Sequence, residues 1–212
     1  MFKKALFPQG FFVKFYLILY VSNYPHMKKC LHIFCFFVFL NVLHLPLTAQ
    51  VQNQPYNLPV DAESKKIQYR EVVEQQGTPA YLYDKAIEWF GFYYKNPQSV
   101  YSVQSKENGK IEGFGRMNIY YSDPATGEKR DGGLVQYQIK MELKENKYRY
   151  TITDFNLKGV SRIAIEKWMN KSDPAYNANW DSYLYQVDTT MQHLITTMKE
   201  KMKPTVVKKD EW

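Results

Sequence analysis

From Val100 to Leu157, apolar and polar residues alternate with period two, interrupted only by short polar turns. A run of this kind buries its apolar half as an antiparallel meander, here of four strands. Asn108-Gly109 is the strongest hairpin signal, the acidic and Gly-rich stretch from Asp123 to Gly133 forms a longer loop, and Lys144 to Lys147 forms a third turn. Val135, Tyr137, Ile139, Met141 and Leu143 alternate with Gln136, Gln138, Lys140 and Glu142, so one face of the sheet is dry and the other wet. In the preceding strand Ile111, Met117, Ile119 and Tyr121 share a parity with Gly113 and Gly115. Two missing side chains there predict a bend, or the close approach of a packed helix.

A sheet with one dry face needs a cover, and the flanking sequence supplies it. Ile67, Tyr69, Val72 and Val73 predict a first strand closed by Gly77. Thr78 as N-cap and Pro79 at the first helical position then open a helix. Its stripe is Leu82, Ala86, Trp89 and Tyr93, flanked by Tyr83, Ile87, Phe90 and Tyr94, and it ends before Asn96-Pro97. This stripe reads as a core face rather than an aromatic ligand box.

After Gly159, Ser161 to Asn170 predicts a short helix carrying Ile165, Trp168 and Met169. Asn179 is then the expected cap of a long helix in which Trp180, Tyr183, Leu184, Val187, Met191, Leu194, Met198 and Met202 recur at three- and four-residue steps until Pro204. Its length of roughly 34 Å crosses a whole sheet. The expected fold class is α+β: a curved antiparallel sheet of about five strands, ordered β-α-β-β-β-β-α-α, with helices packed on one face. A domain of about 160 residues buries roughly 70% of its unfolded surface without any disulfide.

The first forty-nine residues are a different kind of chain. They hold five lysines and no acid, nine of the thirteen Phe, three of the four His and both cysteines, Cys30 and Cys35. Met27, Lys28 and Lys29 read as a positive n-region, Cys30 to Leu45 as an apolar h-region, and Leu47-Thr48-Ala49 as a cleavage site before Gln50. Residues 27–49 are therefore expected to be a signal peptide, and 1–26 an upstream extension or a mis-assigned start, with Met27 the true initiator. An unusually long n-region is one alternative and a second membrane segment the other, though its apolar patch from Phe11 to Val21 is too short to span. The apolar run falls short of the roughly 20 residues a spanning helix needs, so cleavage is expected over a retained anchor. Neither cysteine follows the small-residue motif that precedes a lipidated Cys. Residues 50–64 read as a linker, 65–203 as the domain, and 204–212 as a polar tail.

Removing the leader's five lysines leaves 23 basic against 21 acidic residues, so the formal charge falls from +7 to +2. A near-neutral domain gives no electrostatic ground for nucleic-acid binding, and it contains no thiol. Its single histidine, His193, lies on the long helix and reads as a solvated residue rather than a general base. Two-histidine zinc sites cannot be built, and no Gly-rich phosphate loop follows a strand. Asp123, Glu128 and Asp131 are spaced somewhat as in calcium loops but lack the alternating ligand pattern, so they read as a solvated hairpin. No two acids can be singled out as a glycosidase pair.

What stands out is tyrosine: fifteen from Gln50 onward. Tyr120 and Tyr121, Tyr148 and Tyr150, and Tyr183 and Tyr185 are candidates for lining a pocket between the sheet and the long helix. Half-buried sheet positions are the plainer reading.

The layout carries a resemblance, borne by Tyr81 to Phe90 on the first helix, by Gly113, Arg116 and Ile119, by Ile152 to Asn156, and by Ile165-Glu166-Lys167-Trp168 before the final helix. From about Lys65 to Met202 the chain resembles an exported domain family of unknown function, common in Bacteroidetes, described as having a TATA-binding-protein-like fold. Those motifs are diffuse hydrophobic patterns. The resemblance implies that fold and an envelope location, and supplies neither an activity nor functional residues. Since function lives in sites rather than architecture, the fold's name does not argue for DNA.

The functional expectation is a non-enzymatic binding module, exported to the periplasm or cell envelope, that holds an envelope protein or a small amphipathic ligand through its aromatic surface. No catalytic or metal-binding residue is assigned, no cofactor is expected, and no stable membrane span remains after cleavage. The alternative is an envelope hydrolase dependent on carboxylates or tyrosine.

Overall fold

In a computed structural model, residues 56–204 are described. The expected signal peptide, its cleavage site and residues 205–212 of the expected tail lie outside them. The elements run β1 (Tyr69–Glu74), α1 (Pro79–Tyr93), β2 (Tyr101–Ser105), β3 (Lys110–Ser122), β4 (Lys129–Lys144), β5 (Lys147–Lys158), β6 (Ile163–Ala164) and α2 (Asn179–Met202). A 3₁₀ turn, Ile165–Met169, sits between β6 and α2.

The strands form one antiparallel sheet in the order β1-β5-β4-β3-β2, with β6 also paired to β5. The meander is as the alternation predicts, and β1 joins it beside the last strand. The sheet has six strands rather than about five. The predicted helix from Ser161 to Asn170 is instead the short β6 and the 3₁₀ turn. Ile165 and Trp168 bury themselves from that turn, an anchoring that a single helical turn performs as well as a full helix.

Buried strand residues share one parity: Ile111 and Ile119 on β3, Val135 to Leu143 at odd positions on β4, and Tyr148, Tyr150 and Ile152 on β5. Both helices pack on this face, α1 against β4 and α2 against β3. Every predicted stripe position of α2, from Trp180 to Met202, is buried. Thr78 caps α1 as expected, its side chain accepting from the Tyr81 amide. The cap of α2 differs: Asn179 is already the first helical residue, and Asn177 receives the Asn179 amide on its side chain and the Trp180 amide on its carbonyl.

Two irregularities keep the parity intact. Opposite Tyr137, β5 carries a bulge in which Asp154 takes a left-handed φ of 55°. The extra residue restores Phe155 to the buried face, where it is fully covered. At Gly115 a Cβ would stand 2.2 Å from the ring of Tyr137, so the missing side chain makes room for a neighbouring strand's tyrosine. At Gly113 the intruder is the Val100 carbonyl oxygen, at 2.5 Å. Of the two expectations for these glycines, a bend or the approach of a packed helix, the helix is not what comes close.

Of the expected linker, the described part is attached to the domain. Leu58 enters the core, Val60 bridges Ile67, and the Asn57 amide donates to Asp188 Oδ2 at 3.2 Å.

Candidate functional site

The tyrosines answer first: six hydroxyls among the described residues, those of Tyr56, Tyr69, Tyr94, Tyr137, Tyr150 and Tyr176, are hydrogen-bonded to side chains, four of them to carboxylates. Asp181, on the first turn of α2 and 7% exposed, accepts from Tyr176 at 2.9 Å, Tyr56 at 3.2 Å and Lys171 at 3.0 Å. Burial pushes its carboxyl up, but these donors together hold it below the usual range. Two turns on, Asp188 accepts from Tyr69 at 2.9 Å. Burial, and then that carboxylate, push the Tyr69 phenol far above its ordinary value. Near the other end of α2, Lys199 donates to both oxygens of Glu71, which also accepts from Tyr150 at 2.7 Å. The Lys199 and Tyr150 bonds hold Glu71 low.

Each of these groups fastens α2 to the first strand, to the segment before it or to the last long strand. The predicted tyrosine pocket is therefore not one site. Tyr183 lies near the start of α2 against Trp168 and Gly132, whereas Tyr150 meets Lys199 near its end. Tyr120 lies under the Lys129 ammonium, 3.8 Å from the ring centre, and Tyr121 and Tyr185 are half-buried. Tyr148 is 1% exposed, and its hydroxyl has no hydrogen-bond partner among the described residues.

The remaining candidates are also placed. His193 is exposed on α2, with its ring 6.3 Å from that of Tyr93. Asp123 takes the amides of Ala125 and Thr126 and pairs with Arg130 at 2.8 Å. Asp131 takes the Gly133 amide, so these acids serve as turn caps. Among the described residues no group of three or more His, Cys, Asp or Glu is arranged to hold a metal.

The opposite face of the sheet carries no helix. Cross-strand register places Val72, Arg149, Glu142 and Lys110 in one row across it. Phe114 and Arg116 share the parity of Lys110 and lie on the same face. Most of this surface is polar, and Arg149 Nε donates to Glu142 at 2.6 Å. Three exposed apolar side chains interrupt it: Val72, 54% exposed, Val103 opposite Glu112, 41% exposed, and Phe114, 38% exposed.

Val72 and Phe114 each mark a cleft. One, of about 150 Å³, is lined by Val72, Glu142, Lys144, Lys147, Tyr148 and Arg149. The other, of about 250 Å³, lies at the β2 side between Phe114 and Arg116 and the chain from Tyr94 to Val100. Behind the second, the Tyr94 and Tyr137 hydroxyls meet at 3.1 Å, and burial raises both phenols. Sequence reasoning passed over Phe114 and the cleft. A Phe in a polar row is the available signal, and Arg116 enters only through the family resemblance.

Residues 69–158 match the family described as a domain of unknown function (DUF4468) with TBP-like fold. This chain carries that domain. Two solved structures share the architecture of the DUF4468 domain described here. A DUF4468 family protein from Bacteroides ovatus aligns with a TM-score of 0.53 at 17% identity, over 75% of this chain and 95% of that one. A TBP-like protein from Parabacteroides distasonis aligns with a TM-score of 0.52 at 11% identity, over 68% and 96%. At those identities the likeness speaks for the fold alone. No curated protein matches the chain.

Proposed function

We propose that this DUF4468 domain is a non-enzymatic binding module of the bacterial cell envelope, and that its working surface is the uncovered face of the sheet. The observation that carries the proposal is the one-sidedness of the sheet: both helices lie on one face, while the other presents Val72 and Phe114, each at a cleft, in a field of charged and polar side chains. Exposed apolar residues rimmed by polar neighbours are what a recognition surface requires. The groups with catalytic potential support the same reading, since Glu71, Asp181 and Asp188 are each engaged by tyrosine. The envelope location rests on the leader, with its basic n-region, apolar core and small-residue cleavage site.

The test compares the two faces. Purified protein is applied to envelope fractions, and binding is measured for Val72→Asp and Phe114→Asp on the open face and for Phe92→Asp on the exposed side of α1. The open-face variants are expected to lose most binding while Phe92→Asp retains it. Equal binding by all three, or none by the parent protein, would overturn the proposal.

A further inference from the structure

The outer edge of β3 is longer than the strand that covers it. β2 pairs only with residues 110–113, and the Val100 carbonyl extends this cover by accepting from the Phe114 amide at 2.8 Å. Further along, the edge is closed by a side chain. Gln186 of α2 accepts from the Tyr120 amide at 2.9 Å and donates to the Tyr120 carbonyl at 2.7 Å, the two bonds a neighbouring strand would make. Backbone groups alternate in direction along a strand, so Phe114 and Tyr120 fix the outward set as the even positions. Arg116 and Asn118 therefore turn their N–H and C=O groups outward between the two covers, and no described residue bonds to them. Both residues are exposed.

The cleft that flanks this gap is lined by the cations Arg116 and Lys95 and by no acid, and the Lys129 ammonium sits over Tyr120 at the far end of the gap. None of the three has an ion-pair partner among the described residues. Of the acids beyond the cleft, Asp123 and Glu128 pair with Arg130, while Asp131 takes the Gly133 amide and keeps its charge, so the positive end of the gap is the one at Lys95 and Arg116. Glu112 lies on the part of β3 covered by β2.

We propose that the β3 edge from Phe114 to Tyr120 is a docking site for an extended acidic peptide segment of a partner protein, which adds a strand to the sheet. Main-chain bonds to Arg116 and Asn118 supply the ladder, and side-chain carboxylates meet Lys95 and Arg116. The gap spans about 20 Å, the length of about six extended residues. This proposal rests on the binding-module reading and names its partner chemistry.

The experiment titrates the purified protein with a labelled peptide alternating Thr and Glu, with its Thr-Lys counterpart, and with a Thr-Glu peptide bearing a central proline. The Thr-Glu peptide is expected to bind with an affinity that falls as salt rises, and the other two to bind weakly or not at all. Arg116→Glu and Lys95→Glu, on separate elements, should each weaken binding about tenfold, the size of one lost charge contact. Bound peptide should slow amide exchange at Arg116 and Asn118. Equal affinity for the Thr-Lys peptide, no binding of Thr-Glu, indifference to both substitutions in variants that melt normally, or protection elsewhere would overturn the edge site. If envelope binding then persisted through Val72, the broader reading would stand without it; loss of that binding too would remove both.

Discussion

At the scale of single residues, a tyrosine hydroxyl in this domain is worth what its acceptor makes it worth. Tyr69 is buried, and its hydroxyl ends on the half-buried carboxylate of Asp188. Hydrogen bonds to charged groups contribute about 1.5–3 kcal/mol, and here water can partly replace the lost donor. Tyr69→Phe should therefore cost about 1–2 kcal/mol in urea unfolding. Tyr148 is buried as deeply, with no partner for its hydroxyl among the described residues. An unpartnered buried hydroxyl is itself a cost, so Tyr148→Phe should leave stability unchanged or raise it by about 1 kcal/mol. Equal losses from the two variants would mean that ring packing alone sets the energy and that the acceptors are incidental. Excess tyrosine was plain in the sequence, but its acceptors were not. Asp181, Asp188 and Glu71 lie far in sequence from most of the rings they receive, and no spacing rule connects positions that only the folded sheet brings together.

At the scale of elements, legibility followed periodicity. The stripe of α2 and the parities of β3 and β4 appear in the fold as the residues imply, because burial on one face dictates them. Failures fell where a few residues act without a period: β6 is two residues long, and the bulge at Asp154 shows only as an acid in an otherwise regular strand. The candidate site was illegible for a related reason. Its residues are exposed, so no packing constraint repeats them, and the open edge of β3 is a property of how short β2 is. Glycine gives a test of element-level packing in both directions. A Cβ on Gly115 would meet the buried Tyr137 ring at 2.2 Å, so Gly115→Ala should cost about 2–3 kcal/mol. Gly91 lies in α1 with nothing within 4 Å of an added Cβ, so Gly91→Ala should gain about 0.5–1 kcal/mol from helix propensity. Calorimetric melting of the two variants separates the outcomes; a gain at Gly115 would show that β3 and β4 stand further apart than described.

For the molecule as a whole, the phenol–carboxylate fastenings and the other buried phenols make stability a function of pH with two limbs. On the acid side, Glu71 and Asp181 are held below their usual values by lysine and tyrosine donors. Carboxylates whose folded pKa is depressed stabilise fully above the unfolded values near 4 and lose that contribution as pH falls through the folded ones. On the alkaline side the sign reverses. Burial raises the phenols of Tyr69, Tyr94, Tyr137, Tyr148 and Tyr150, and lifts Tyr101 to about 12. Unfolded tyrosines ionise near 10, so each contribution is complete below that pH and is lost as pH rises toward the folded value. Urea unfolding against pH should show a broad plateau from about 5 to 9. It should fall gently below about 4 and steeply above about 10, where each withheld phenol adds up to about 1.4 kcal/mol per pH unit. Tyr69→Phe should flatten the alkaline limb by one tyrosine's share and leave the acid limb in place. Tyrosinate absorbance and circular dichroism followed together decide the matter. Coincident rises mean that these phenols ionise only when the sheet and α2 part, whereas absorbance rising first in a folded molecule would place the hydroxyls in contact with solvent and remove them as fastenings.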